Sequence, residues 1–136
     1  MPSGMSAPRR PLRVEVVGPL DVDEVWRRYT TPGLWSGWAP QIRDVDHSTD
    51  RIGPGTTGVV HGPIGLGVPF VIEVLDDPAM RWAWTCGWGR VRVRMGHGVD
   101  PDRLGARAWV EVAGPPLLAR AYAPIARRAL SRLVTA

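Results

Sequence analysis

The chain has 136 residues, 44% of them hydrophobic and 22% charged, a composition that describes one globular domain with a real core and leaves too little chain for two. All 17 basic residues are arginine, and the absence of lysine and asparagine excludes Schiff-base catalysis, a phosphate-binding lysine loop and N-linked glycosylation. The single cysteine, Cys86, excludes an internal disulfide and a cysteine cluster for metal, which fits a cytoplasmic setting, while the net charge of +4 suits an acidic partner.

Residues 1–11, with Pro2, Pro8, Pro11, Arg9 and Arg10, read as a flexible arm lacking the apolar run of a signal peptide, and residues 12–136 read as a single domain. Leu12 to Val17 alternates around Arg13 and Glu15, which predicts a first strand stopped by Gly18-Pro19. Asp21 then caps a short helix, with Glu24 completing an Asp-x-x-Glu box and Val22, Val25, Trp26 and Tyr29 forming the apolar stripe. After Thr31-Pro32-Gly33, Leu34 to Trp38 makes a second short helical turn that sets Trp35 beside Trp38.

From Gln41 to Gly114 the chain is punctuated by glycine and proline, and beta-branched or aromatic runs predict strands near residues 42–48, 56–61, 68–76, 81–87, 90–99 and 106–113. The uncharged stretch at residues 62–72 is interrupted by Pro63, Gly65, Gly67 and Pro69 and falls well short of the roughly 20 apolar residues of a membrane-spanning helix. Arg90, Arg92 and Arg94 alternate with Val91, Val93 and Met95, so a period of two turns the arginines outward and carries the apolar set through His97 and Val99 on the inner face. By the same criterion Trp82, Trp84 and Cys86 oppose Arg81, and Phe70, Ile72 and Val74 oppose Glu73. Beyond Pro115-Pro116, Leu118, Tyr122, Ile125, Ala129 and Leu133 recur at helical spacing, predicting a long amphipathic helix that Pro124 kinks or breaks.

This order, together with Val25-Trp26, Trp35-Ser36-Gly37-Trp38-Ala39-Pro40, Gly53-Pro54-Gly55-Thr56, Asp77-Pro78 with Arg81-Trp82-Ala83-Trp84, His97-Gly98-Val99 and Gly105-Ala106-Arg107-Ala108, resembles the START-like (SRPBCC) superfamily and its polyketide cyclase/dehydrase-like members. Ala106 departs from the threonine that many relatives have after the glycine. The resemblance implies an α+β helix-grip fold of the birch pollen allergen type: a curved antiparallel sheet of about seven strands wrapped around a long C-terminal helix, with two short helices after the first strand. It also implies a cavity between sheet and helix, whose walls would be Trp38, Phe70, Ile72, Trp82, Trp84, Val93, Met95, Leu118 and Ile125.

Other motifs carry less. Gly53-Pro54-Gly55-Thr56-Thr57-Gly58 has the letters of a dinucleotide loop, but the beta-branched Val59-Val60 follows where a helix would have to start. Asp44-Val45-Asp46-His47 reads as a solvated loop face, and His47, His61 and His97 lack the spacing of a metal set, so no metal and no cofactor is expected. His97, Tyr122 and His61 are the candidate acid–base groups, His97 foremost because its strand parity sets an ionisable ring among wall residues.

The expected function is a cofactor-independent, cyclase- or dehydratase-like enzyme of natural-product biosynthesis acting on an apolar, polyketide- or aromatic-like ligand, with a non-catalytic carrier or sensor as the alternative. The expected partners are that ligand and an acidic acyl carrier protein, with no specific nucleic acid, and the chain is read as a monomer or homodimer.

Overall fold

The computed structural model describes residues 11–136, so the expected arm lies outside the described residues except for Pro11. The elements run β1 (Leu12–Gly18), α1 (Val22–Thr30), α2 (Trp35–Trp38), β2 (Asp44–His47), β3 (Thr57–His61), β4 (Gly67–Asp76), β5 (Arg81–Trp88), β6 (Val91–Pro101), β7 (Ala106–Ala113) and α3 (Pro116–Leu133). The seven strands form one antiparallel sheet in the order β1-β7-β6-β5-β4-β3-β2. Strands β2 to β7 are a meander of neighbours, and β1 adds to its far edge, so α1 and α2 carry the chain from one edge of the sheet to the other.

Local chemistry accounts for the first helix. The Asp21 carboxylate accepts from the Asp23 amide at 3.0 Å and caps α1. The expected box does not close, because Glu24 turns along the helix to accept from Arg27 at 2.7 Å and Arg28 at 3.2 Å, and these guanidiniums hold its carboxyl down to about 2.

The inner face follows the period of two with one exception. Along β6, Val93, Met95, His97 and Val99 are buried while Arg92 and Arg94 face solvent. In β4 the register slips between Ile72 and Val74, so Ile72 opposes Trp84 but Val74 opposes Ala83, with Glu73 as the extra residue. This bulge reverses the parity beyond it: Val74 is exposed rather than inward, and Leu75 packs on the core in its place.

Helix α3 rests on β1 and β7. Its buried face is Ala119, Ala126, Ala129, Leu130 and Leu133, which keeps Ala129 and Leu133 of the expected stripe but replaces Leu118 and Ile125, both exposed, by Ala119 and Ala126 one residue round. The alanines permit close approach of the helix to the sheet, and the bulkier residues take the flank. Pro124 does not break the helix, since both it and Arg120, whose carbonyl loses its partner, lie on the exposed side.

The end of α3 is pinned. Leu133 and Val134 are fully buried, the Leu20 amide donates to the Val134 carbonyl at 3.1 Å, and the Arg28 guanidinium donates to the carbonyls of Leu133 at 3.3 Å and Thr135 at 2.9 Å. A cation at this end also suits the helix dipole. Gly18 is required beneath it, because a Cβ there would stand 2.4 Å from Val134 Cγ2.

Candidate functional site

The seven tryptophans divide by what their indole N–H groups meet. On α1 and α2, Trp26 donates to Asp77 at 2.9 Å, Trp35 to the Tyr29 carbonyl at 2.9 Å and Trp38 to the Arg28 carbonyl at 3.3 Å, the last two satisfying carbonyls at the end of α1. Trp88, at the tip between β5 and β6, donates to the Gly67 carbonyl. Trp109 lies on the outer face of the sheet under the guanidiniums of Arg13 and Arg81, across Gly98, where a Cβ would meet its ring at 2.2 Å, and its buried Nε1 has no hydrogen-bond partner within the protein. Trp82 and Trp84 remain. Both are buried on the inner face, and neither Nε1 has a hydrogen-bond partner within the protein.

These two rings and His97 form the floor of a cavity between sheet and α3. The imidazole stacks on Trp82 at 3.6 Å with 6° between planes, the geometry of a directly opposed cross-strand pair. Trp84 and Tyr29 meet the same imidazole edge-on, each at 5.6 Å. Tyr29 reaches across from α1, its hydroxyl donating to the Trp109 carbonyl at 2.8 Å. The opposite wall is Trp38, Gln41 and Tyr122, with the Gln41 amide donating to the Tyr122 hydroxyl at 3.3 Å. The cavity has a volume of about 40 Å³.

Burial sets the electrostatics. Loss of water pushes the His97 imidazole down to about 3, only partly offset by a hydrogen bond with the Trp82 backbone, so His97 is neutral at physiological pH, with Nδ1 unpartnered. Burial raises the Tyr29 and Tyr122 hydroxyls above the ordinary tyrosine value, and it pushes the Cys86 thiol up to about 11. With Gln41 Oε1 also unpartnered, the cavity brings together side chains with three orphaned nitrogens and one orphaned oxygen. Among the described residues no group of three or more histidine, cysteine or carboxylate side chains is placed to hold a metal.

Of the residues expected at the site, Trp38, Trp82, Trp84, Met95, His97 and Tyr122 line this cavity. Phe70, Ile72 and Val93 are buried in the core without lining it; Phe70 packs on Trp35 and Trp84. Leu118 and Ile125 stand outside on the flank of α3. His61 does not line the cavity and is half exposed, its Nε2 2.8 Å from the Asp46 carboxylate across β2 and β3 near the β2 edge of the sheet. Tyr29 and Gln41 were absent from the expected site. Tyr29 was legible only as a core residue of α1, and nothing in the sequence around Gln41 marks it.

The chain aligns with Ara h 8.0201 at a TM-score of 0.70 and 14% identity, covering 90% of this chain and 93% of that one. This chain has the helix-grip fold. The same helix-grip architecture aligns with MLL2253 from Mesorhizobium loti at a TM-score of 0.72 and 16% identity, over 91% of this chain and 93% of that protein. With DynU16, a protein of the dynemicin biosynthetic locus, the TM-score is 0.74 at 20% identity, over 93% of this chain but 46% of DynU16. No family model matches the helix-grip chain, and no curated protein does.

Proposed function

We propose that the chain binds a small, largely apolar molecule bearing hydrogen-bond acceptors between the sheet and α3, and holds it unchanged as a carrier or sensor. The observation that carries this reading is the set of orphaned polar atoms on Trp82, Trp84, His97 and Gln41 around one aromatic-walled cavity. An indole N–H can only donate, so Trp82 and Trp84 select for an acceptor such as a carbonyl. Each such group left dry costs roughly 1–3 kcal/mol, a cost relieved by a polar guest.

A volume of about 40 Å³ admits water but not a ring system; a cavity that takes up benzene measures about 150 Å³. The ligand therefore enters by displacing wall residues. Trp38, Gln41, Ile42 and Tyr122 are the partly exposed ones, whereas Trp82, Trp84 and His97 are buried and fixed by the sheet.

Cyclase- or dehydratase-like chemistry is the second reading, favoured by His97 and Tyr122 lining one cavity and by the likeness to a protein of a biosynthetic locus. Binding alone would speed ring closure by holding reacting carbons together. A neutral His97 keeps one ring N–H and offers its other nitrogen as a base at physiological pH, so acid catalysis falls to Tyr122, whose hydroxyl is made a weaker acid by burial, and this weakens the reading. Delivery of substrate by an acidic acyl carrier protein, and a cytoplasmic setting, belong to it.

Equilibrium dialysis against 2-acetylnaphthalene and its hydrocarbon analogue 2-ethylnaphthalene tests the proposal. The ketone is expected to bind about tenfold tighter, with Trp84→Phe removing the difference. Equal binding, or none of either, contradicts the reading. Conversion of a polyketide-like probe to product, abolished by Tyr122→Phe, would establish the second reading instead.

A further inference from the structure

We infer that the end of the sheet at which β5 turns into β6 is a docking surface for an anionic lipid bilayer, a property independent of what the cavity holds. Strand pairing gathers three connections there. The Trp88 indole ties the β5–β6 tip to Gly67, at the end of the loop from β3, and Ala113 pairs with Arg94 near the start of β6, bringing the entry to α3 alongside.

Together these connections present Ile64, Leu66, Trp88, Val91 and Leu117, all exposed, with Ile64 at 99% and Leu117 at 80%. A lone exposed apolar residue needs no explanation; five on adjoining tips of one end form a patch that does. Ile64 adds a second observation. It is beta-branched yet held at φ 62° and ψ 33°, in the left-handed region that such residues avoid, and no protein contact repays it.

Charge identifies the occupant. Residues 62–68, 86–93 and 113–121 contain Arg90, Arg92 and Arg120, all exposed, and no carboxylate. Apolar tips flanked by arginines match a bilayer boundary, where the tips enter among acyl chains and the guanidiniums meet lipid phosphates. A second copy of the chain would set arginine against arginine across a two-fold axis. An acidic protein would suit the arginines but would leave the protruding Ile64 and Leu117 unmatched.

Co-sedimentation of the full chain with vesicles of phosphatidylcholine, alone or mixed with phosphatidylserine, tests the proposal. Binding to the mixed vesicles is expected, weakened by salt and by about fivefold for each arginine removed in Arg90→Gln and Arg120→Gln. The double variant Ile64→Ser/Leu117→Ser, which touches no core contact, is expected to lose at least about tenfold, with circular dichroism confirming an unchanged fold. No sedimentation with mixed vesicles at low salt would overturn the proposal, as would full binding by the double serine variant. So would a dimer in size-exclusion chromatography that this variant abolishes, because the patch would then belong to a second copy.

Discussion

His97 concentrates the chemistry of the site in one side chain. Its ring is held between Trp82, Trp84 and Tyr29, and the same burial that organises it removes its charge. Because its folded-state value of about 3 lies below the ordinary value of 6.5, the unfolded chain takes up a proton that the folded chain refuses as pH falls from about 6.5 towards 3. The His97 contribution to stability is therefore complete above pH 6.5 and declines below it. In urea titrations the stability difference between wild type and His97→Gln is expected to shrink on acidification, with a slope approaching about 1.4 kcal/mol per pH unit. A difference independent of pH between 6.5 and 4.5 would contradict the burial argument. His97, Trp82 and Trp84 were legible in the sequence because strand parity is a local property. Gln41 and Tyr29 were not, since their approach to the cavity depends on how α1 and the following loop cross the sheet.

At the level of elements, alternating strands were read well, and β7 matches its expected bounds of residues 106–113. The exceptions have local causes that a simple period misses. The β4 bulge transposes Val74 and Leu75, and the two candidate stripes on α3 differ by a single residue, so periodicity could not decide between Leu118 with Ile125 and Ala119 with Ala126. Tertiary approach decided it in favour of the alanines. Pro124 sits in a continuous helix and denies Arg120 a hydrogen bond without gaining a packing contact. Pro124→Ala is therefore expected to stabilise the chain by about 1–3 kcal/mol, read as a rise in melting temperature; a fall would mean that the proline shapes a bend the packing needs.

For the whole molecule, the order of strands and helices was enough to anticipate the architecture, because each element is signalled locally and the connections are short. Cavity size was not legible. It is the residue of many side-chain packings, and the indoles that were expected to wall an open space largely fill it instead, leaving about 40 Å³. The account therefore rests on a site that opens to its ligand and brings an acceptor to the unpartnered N–H groups of Trp82 and Trp84. The most direct measurement is the set of indole N–H resonances of the nitrogen-15-labelled protein, assigned by single substitution and followed as 2-acetylnaphthalene is added. The account predicts that the Trp82 and Trp84 signals move together and saturably while those of Trp26 and Trp109 stay in place. Movement of the exposed Trp88 alone, or no movement at Trp82 and Trp84 while the ketone binds, would contradict it.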